Sequence, residues 1–248
     1  MDNYTPAKDL LSGRIILITG AGDGIGKTAA LTLAQHQATV VLLDHTTKPI
    51  EALYDEIETA GYPRPAMITL DLATTTPDDY ETVARTIDDE FGRLDGLLHN
   101  AAELGTLTPI ALYDLETWMK VLTVNLHAPL LLTRACLPLL QKSQDASIIF
   151  TTADVGRQGR AYWGAYGVAC FALEGLTQIL AAELETNTSI RVNSLDPGAV
   201  RTAMRARAYP AEDPSRLSTP SQIMSTYLYL MGPDSRNVTG QALSAQRP

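Results

Sequence analysis

The stretch ITGAGDGIGKTAA (residues 18–30) lies between an apolar run and a helical pattern, where glycine-rich loops hold phosphate groups at helix N-termini. One interpretation is the loop of ATP- and GTP-hydrolysing proteins, G-x-x-x-x-G-K-[ST], ending at Gly26-Lys27-Thr28. That loop needs glycine where Ala21 stands, and no later strand has a clear magnesium-ligating pattern. Lys27 is therefore predicted to be an ordinary residue of the first helical turn.

The other interpretation is a dinucleotide-binding turn formed by Gly20, Gly24, Ile25 and Gly26. A turn of this kind follows a strand and is accompanied, roughly 20 positions later, by an acidic residue that binds a ribose hydroxyl. Asp44 ends the apolar run TVVLLD, 18 residues after Gly26. The spacing favours a dinucleotide site over a nucleotide hydrolase.

Short apolar runs alternate with longer helical patterns along the whole chain. Strands are predicted at 14–19, 39–44, 66–70, 95–99, 147–151, 190–195 and 242–245, and helices near 25–36, 49–60, 77–91, 114–142 and 163–185. Several runs are apolar almost throughout, as expected for strands buried on both faces of a parallel sheet. The pattern predicts an α/β fold with a Rossmann-type, doubly wound, parallel seven-stranded sheet, helices on both faces, and a single domain over 1–248.

Composition narrows the classes of partner and compartment. The formal net charge of -9 argues against nucleic acid and anionic membranes, because both attract clustered Lys and Arg. Two cysteines are too few for a disulfide framework, and the N-terminal stretch lacks the apolar run of a signal peptide. We expect a cytoplasmic protein that binds a small-molecule substrate and neither nucleic acid nor a membrane.

Further motifs follow the glycine turn in a fixed order. They are Asp71 after the third strand, HNAAELG after the fourth, Asn125 in TVNL, Tyr166 in YGVAC, and Pro197-Gly198 followed by Thr202. In this combination the chain resembles the short-chain dehydrogenase/reductase family over nearly its full length. The stretches VGRQGRAYWGAY and RTAMRARAYPAEDP are also similar to a YciK-like bacterial branch of oxidoreductases.

The resemblance implies a nicotinamide dinucleotide cofactor. The contacts it implies are Gly20, Gly24, Ile25, Gly26, Asp44, Asp71, Leu72, Asn100, Ala101, Ala102, Tyr166, Pro197, Gly198 and Thr202. In the family, an acidic residue at the position of Asp44 favours NAD(H) over NADP(H), because a carboxylate repels the extra 2′-phosphate. His45 adds little positive charge beside it.

The family's catalytic Ser, Tyr, Lys and Asn are only half retained, because Tyr166 and Asn125 are the two catalytic residues kept. Ala153 stands 13 residues before Tyr166, in place of the Ser, and Cys170 stands four residues after it, in place of the Lys. A free phenol has a pKa of about 10, and proton transfer near neutrality requires a value roughly three pH units lower. That difference is about 4 kcal/mol of phenolate stabilisation, which an ammonium supplies and a thiol does not.

Three functions are compatible with these residues. The first is an NAD(H)-dependent oxidoreductase acting on a CH–OH or carbonyl group of a small substrate, with Tyr166 as the acid/base, Asn125 as support and impaired catalysis. Whether Thr152 or Asp154 substitutes for the Ser is left open by the sequence. The second is a pseudoenzyme that binds NAD(H) as a structural or sensing ligand. The third is an interaction scaffold with no cofactor role, which the intact glycine turn and Asp44 disfavour.

Other parts of the chain suggest accessory roles. The proline-containing segment at about 198–220 is predicted to be a substrate lid. Arg157, Arg160, Arg205 and Arg207 are candidates for an anionic substrate, although such arginines are more often ion-pair partners. The four histidines lack metal-ligand spacing, so no metal site is predicted, and Trp163 is assigned to the core or a subunit contact. By resemblance, segments 114–142 and 163–185 form the contacts of a homodimer or homotetramer.

Overall fold

The computed structural model describes residues 4–246, which contain a seven-stranded, all-parallel sheet. Its strands are β1 (Ile15–Thr19), β2 (Thr39–Asp44), β3 (Ala66–Thr69), β4 (Gly96–His99), β5 (Ser147–Thr151), β6 (Arg191–Asp196) and β7 (Ala242–Ser244). Their spatial order is β3-β2-β1-β4-β5-β6-β7. The predicted doubly wound parallel sheet is confirmed, and no strand boundary differs from its predicted position by more than one residue.

Helices cover both faces of this sheet. They are α1 (Gly24–Gln35), α2 (Thr47–Thr59), α3 (Pro77–Phe91), α4 (Leu115–Leu122), α5 (Ala128–Gln141), α6 (Gly164–Glu185), α7 (Ala203–Ala208) and α8 (Met224–Met231). Helices α3, α5 and α6 pack over strand side chains such as Leu17, Leu97 and Ile148. Helices α1, α2 and α8 pack over Ile16, Leu98 and Ile149 on the opposite face. Adjacent strand residues thus enter different cores, which explains why β1 is apolar throughout.

The chain reverses its winding direction between β1 and β4, which are neighbours in the sheet although two strands separate them in sequence. Connections from the carboxyl ends of β1 and β4 therefore diverge and leave a crevice at this edge. The loops after β1, β4, β5 and β6 all open into that crevice. The fold consequently gathers the predicted motifs at one place.

Three helical features differ from the sequence prediction: one predicted helix is divided, and neither α7 nor α8 is predicted. The single helix expected over 114–142 is divided into α4 and α5 by a π-helical turn at Thr123–His127. The apolar pattern continues through this turn, so periodicity gives no sign of the break. Helix α8, absent from the prediction, is the eight-residue segment MSTYLYLM, which is too short and too uniformly apolar to show helical periodicity.

Helix α6 has the length and mean hydropathy, 1.4 over its most apolar window, that a membrane-spanning helix requires. Half of that window is buried inside the protein, against β6 and neighbouring helices. Side chains such as Leu173, Leu180 and Leu184 belong to the core on one face of the sheet. The core helix of a globular protein can have the same length and composition, and α6 packs as such a helix.

Candidate functional site

A cavity of about 880 Å³ lies at the carboxyl ends of the strands. Of the predicted site residues, those that line it are Gly20, Gly24, Ile25, Asp44, Asp71, Leu72, Asn100, Ala101, Ala102, Tyr166, Pro197, Gly198 and Thr202. Gly26 and Asn125 are buried and do not line it. Residues separated by more than 180 positions in sequence therefore meet around one space, as the dinucleotide interpretation requires.

The glycine turn is held by close backbone approaches that a side chain would block. Gly20 has a φ of +67°, and a Cβ there would lie 2.8 Å from the Cα of Ala101. A Cβ on Gly26 would lie 1.9 Å from the carbonyl oxygen of Gly20, so α1 can pack on the turn only if this residue is glycine. Asp23 caps α1, and its carboxylate accepts a hydrogen bond of 2.7 Å from the Gly24 amide. The N-terminus of α1 then faces the cavity with its positive dipole end.

The position of Lys27 favours the dinucleotide-binding interpretation of the glycine-rich stretch over the nucleotide-hydrolase loop. Its ammonium lies 3.1 Å from a carboxylate oxygen of Glu56 on α2 and does not line the cavity. A phosphate-binding lysine would have to face the space in front of the turn. Lys27 lies in the first turn of α1, as predicted, and is a half-buried ion-pair partner of Glu56 on α2.

The ends of β1 and β4 are tied together beside the turn. The Thr19 hydroxyl accepts hydrogen bonds of 3.1 Å from the amides of both Asn100 and Ala101. The Asn100 side-chain amide donates in return to the carbonyls of Thr19 and Gly20, each at 3.3 Å. These four bonds fix the glycine turn relative to the floor of the cavity.

Two acidic residues mark one end of the cavity. Asp44 is 8% exposed, and its carboxylate accepts hydrogen bonds from the amides of Gly22 at 2.9 Å and Thr46 at 3.2 Å. The ring of His45 is exposed and lies 2.9 Å from the same carboxylate. Asp71 is exposed on the rim and accepts a bond from the Ala73 amide. A carboxylate has about four acceptor positions, so Asp44 retains capacity for ribose hydroxyls.

Tyr166 marks the other end, and its surroundings oppose ionisation. Burial raises the pKa of its hydroxyl well above the usual range, and the nearby Cys170 thiol and the charges of Asp196 and Asp154 raise it further. Burial also raises the pKa of Cys170 to about 12, so this side chain is a neutral thiol. The phenol is thus held in its protonated form, the opposite of what a neighbouring ammonium would achieve.

The residues around Ala153 have other partners. Thr152 lines the cavity, but it is buried and its hydroxyl donates a 2.9 Å bond to Glu174 on α6. Asp154 lines the cavity but pairs with Arg160 at its mouth. Ala153 itself lines the cavity with a methyl group, which cannot donate a hydrogen bond to a substrate oxygen.

Asn125 has a structural position rather than one in the cavity wall. In the π-helical turn, its side-chain oxygen accepts a 2.7 Å bond from the Glu103 amide, and its side-chain nitrogen donates a 2.9 Å bond to the Glu103 carbonyl. Both polar ends of the side chain are therefore used to hold the loop after β4. The predicted supporting role of Asn125 in catalysis stays a prediction, and in this structure its side chain holds the backbone of Glu103.

Asp196, which the sequence interpretation overlooks, lines the cavity near Tyr166. It ends β6 immediately before Pro197-Gly198 and is 8% exposed. One carboxylate oxygen accepts a 2.8 Å bond from the Gly198 amide. Burial raises the pKa of Asp196, while the Gly198 amide and Arg157 act in the opposite direction. An acidic residue at the end of a predicted strand was the available signal, since Asp44 was identified in that way.

The mouth of the cavity contains charged and aromatic side chains. Arg160 donates to the Tyr209 hydroxyl at 3.4 Å, and the Arg205 guanidinium lies 3.8 Å from the centre of the Tyr209 ring. Trp163, assigned from sequence to the core or a subunit contact, instead lines the cavity with its ring 5.7 Å from that of Tyr166. Lys120 also lines it and was not anticipated, since α4 carries no site motif.

The four candidate arginines all have acidic partners. Arg205 forms a two-point ion pair with Glu212 at 2.6 and 2.7 Å, and Arg160 pairs with Asp154. Arg157 donates to Glu174 at 2.9 Å, and the Arg207 guanidinium lies 3.6 Å from Glu103. Only Arg160 and Arg205 line the cavity. Internal pairing is therefore the main role visible for this set.

The segment at 198–220 forms part of the cavity wall. It leaves and rejoins the body at a bridge between Val200 and Ser218, and α7 lies between these points. Gln246 braces its base by donating to the carbonyls of Pro197 at 2.8 Å and Ala199 at 3.1 Å. The segment is thus a loop closed at its base, with α7 contributing Met204, Arg205 and Ala208 to the wall.

No His, Cys, Asp and Glu cluster suited to a metal ion occurs among residues 4–246. His99 is buried, hydrogen-bonded to Thr133 at 2.8 Å and stacked on Phe150 with 4.9 Å between ring centres. Burial lowers the pKa of His99 to about 3, so the ring is neutral. Its role is structural, beneath the junction of β4 with the cavity.

The cavity fits an extended dinucleotide. Its volume lies within the range of roughly 300–1,000 Å³ found for small-molecule and cofactor sites. Carboxylates that suit ribose hydroxyls occupy one end, and a helix N-terminus that suits phosphate lies behind Gly20 and Gly24. A side chain on Gly20 would clash with Ala101, so this position requires glycine. The turn therefore presents only its backbone to a bound ligand at this residue.

Comparison with known proteins identifies the family. The sequence profile of the short chain dehydrogenases matches residues 14–213. The uncharacterized oxidoreductase YciK of Escherichia coli (strain K12) is 47% identical over 98% of this chain and 96% of its own. A short chain dehydrogenase structure from Pseudomonas syringae is 53% identical, with a TM-score of 0.97 over 99% of this chain and 100% of its own. One from E. coli CFT073, complexed with NADPH, is 48% identical, with a TM-score of 0.95 over 98% and 100%. This chain belongs to the short-chain dehydrogenase/reductase family of oxidoreductases, in the branch that contains YciK.

Proposed function

We propose that this protein is an NAD(H)-binding oxidoreductase, acting on a CH–OH or carbonyl group of a small substrate, in which the family's proton transfer is strongly impaired. The proposal rests on one observation: the cavity keeps the residues suited to binding a dinucleotide but lacks two of the family's catalytic residues. The glycine turn and Asp44 are intact beside it, whereas the positions of the family's Ser and Lys are occupied by Ala153 and the neutral thiol of Cys170. This arrangement supports the inference that cofactor binding is retained and that the acid–base function is impaired.

In the proposed reaction, the bound dinucleotide supplies or accepts hydride. The protein must hold the substrate oxygen and move one proton at the Tyr166 hydroxyl. With its pKa raised well above the usual range, that hydroxyl can donate a hydrogen bond but releases its proton poorly near neutrality. Ala153 contributes no second hydrogen bond to the substrate, a loss typically worth about 10²–10³ in rate. Carbonyl reduction is therefore expected to be less impaired than alcohol oxidation, which needs the ionised phenol.

Preference for NAD(H) over NADP(H) rests on Asp44. Its buried carboxylate lies at the end of β2, and a 2′-phosphate bound there would be repelled at short range. The related E. coli CFT073 protein is complexed with NADPH, so NADP(H) is the rival cofactor to test. The neutral variant Asp44→Asn should shift the ratio of NADPH to NADH dissociation constants by about tenfold or more toward NADPH.

Calorimetric titration of NADH and NADPH into the protein and into Asp44→Asn tests this preference. Asp89→Asn is the matched control, because Asp89 is an exposed carboxylate of α3 far from the cavity lining. Tighter binding of NADPH than of NADH by the unmodified protein would contradict the NAD(H) assignment. Absence of heat with both nucleotides would contradict dinucleotide binding altogether.

The second candidate is a pseudoenzyme that binds NAD(H) as a structural or sensing ligand. It is favoured by the use of Thr152 in the bond to Glu174 and by the pairing of Asp154 with Arg160, since neither side chain is free to replace the Ser. Screening the Ala153→Ser, Cys170→Lys double variant against small alcohols and carbonyls separates the candidates. An impaired enzyme should regain turnover, whereas a pseudoenzyme whose substrate pocket has been lost should not.

A cytoplasmic homodimer or homotetramer is the proposed assembly. Exposed apolar side chains concentrate around α4 and α6, including Leu115 at 76%, Met119 and Phe171. A second copy of the chain would bury this patch. Both cysteines are free and buried, which agrees with a reducing compartment. Light scattering after size exclusion should give a mass of two or four chains, and Leu115→Lys should lower it; a monomer would contradict the assembly.

A further inference from the structure

One face of α6 presents three side chains to the ends of β5 and β6. Tyr166, Cys170 and Glu174 are spaced four residues apart and therefore lie one above another on the helix. Glu174 accepts hydrogen bonds from Thr152 on one oxygen and from Ser194, at 2.5 Å, on the other. These contacts fix which face of β6 points toward α6.

Side chains two residues apart on a strand share a face, so Asp196 lies on the same face of β6 as Ser194 and closer to the cavity. It is therefore placed beside Cys170 and Tyr166, and its charge acts on the ionisation of both. The charged and titratable side chains around Asp196 are Arg157, Asp154, Glu174, Tyr166, Cys170 and Tyr227.

The charges of this group do not cancel. Glu174 is paired with Arg157, and Asp154 is paired with Arg160. Asp196 has a backbone amide as its hydrogen-bond donor and no ion pair among residues 4–246. Where the family pattern would place an ammonium, this chain has the neutral Cys170. The end of the cavity at Tyr166 thus holds one carboxylate with no cation of its own.

We propose that this end of the cavity binds the oxidised, positively charged nicotinamide of NAD⁺ in preference to the neutral ring of NADH, so that occupancy reports the ratio of oxidised to reduced cofactor. The inference rests on the proposed function, because the adenine end must lie at Asp44 for the nicotinamide to reach Asp196. The carboxylate attracts a ring that carries a full positive charge and gains nothing comparable from a neutral one. Burial limits the screening of this attraction by water and salt.

Calorimetric titration of NAD⁺ and NADH at pH 8 into three proteins tests the proposal: the unmodified chain, Asp196→Asn and the control Asp89→Asn. The unmodified chain and the control should bind NAD⁺ about tenfold or more tightly than NADH. In Asp196→Asn, which keeps an oxygen acceptor for the Gly198 amide, this ratio should fall about tenfold. A tenfold ratio corresponds to a shift of about 30 mV in the two-electron potential of the bound cofactor.

Cys170→Lys provides an independent second test. Its ammonium should repel the positively charged nicotinamide and so reduce the preference for NAD⁺ over NADH, as Asp196→Asn does. If this variant does not fold, Asp196→Asn alone decides. Binding of both nucleotides with NADH equal to or tighter than NAD⁺ overturns the inference and leaves the proposed function standing. An unchanged ratio in Asp196→Asn also overturns it. Failure of both nucleotides to bind overturns the proposed function and the inference together.

Discussion

The two ends of the cavity differ in what their residues are bound to. At the Asp44 end, backbone amides hold the carboxylate in place and the glycine turn is packed too closely to admit a side chain. At the Tyr166 end, burial holds the Tyr166 phenol in its protonated form, and the Thr152 hydroxyl is hydrogen-bonded to Glu174. The residues suited to cofactor binding and those suited to catalysis thus occupy different ends of one cavity, so the two functions can be tested separately.

The largest effect is expected from restoring the catalytic end. Ala153→Ser with Cys170→Lys should raise turnover of a responsive alcohol or carbonyl by about 10³-fold, because the hydroxyl returns a donor and the ammonium stabilises the phenolate. Asp196 lies beside Cys170 and would provide the new ammonium with a counter-charge. Turnover is measured from NADH absorbance across a panel of substrates, at pH values from 6 to 10.

Tyr166→Phe made in both backgrounds is the control for that gain. In the restored protein it should remove nearly all turnover. In the unmodified protein it should change the residual rate of alcohol oxidation by less than about tenfold, since that direction needs the ionised phenol and the phenol is scarcely ionised there. A restored protein that is insensitive to Tyr166→Phe would show that the added residues act by another route.

The next effect concerns the packing of the Asp44 end. Gly26→Ala places a Cβ 1.9 Å from the Gly20 carbonyl oxygen, so α1 must move or the turn must open. We expect a loss of about 3 kcal/mol in the free energy of unfolding and weaker NADH binding. Gly175→Ala is the matched control, because nothing lies within 4 Å of its added methyl in α6. It should be neutral or stabilising by up to about 1 kcal/mol. Urea denaturation of both variants makes the comparison, and equal stabilities would contradict the close-packing argument.

Acid stability tests the junction between the two ends, where His99 lies beneath the start of the loop after β4. Its pKa is about 3 in the folded protein because of burial, against about 6.5 when unfolded. The stabilisation from this neutral ring is complete above pH 6.5 and is lost as the pH falls toward 3, at about 1.4 kcal/mol per pH unit. When the pH falls from 7.5 to 5.5, the free energy of unfolding of His99→Leu should therefore decrease by about 1.4 kcal/mol less than that of the unmodified chain. An identical pH dependence would indicate that His99 protonates in the folded state.

Local signals predicted the fold almost completely, whereas they predicted only part of the site. Apolar strands such as β1 and the spacing from Gly26 to Asp44 are visible in the sequence because each depends on a few neighbouring residues. The partner of Thr152, the position of Trp163 in the wall and the missing counter-charge of Asp196 depend on contacts between distant segments. No periodicity or spacing encodes them. Loss of a catalytic residue is visible from sequence, but the failure of a neighbour to replace it is visible only in the structure.

The smallest effect is expected at Thr152, the neighbour of Ala153 whose hydroxyl is hydrogen-bonded to Glu174. Thr152→Val keeps the shape of the side chain and removes its bond to Glu174, which retains donors from Arg157 and Ser194. We expect a loss of about 1 kcal/mol in unfolding free energy, with the NADH dissociation constant and any residual turnover unchanged. Ser194→Ala, which removes the equivalent bond from the other carboxylate oxygen, is the control and should behave alike. If Thr152→Val alone lowered turnover tenfold, Thr152 would have to turn toward the cavity during the reaction and serve in place of the Ser, and the catalytic end would be altered rather than lost.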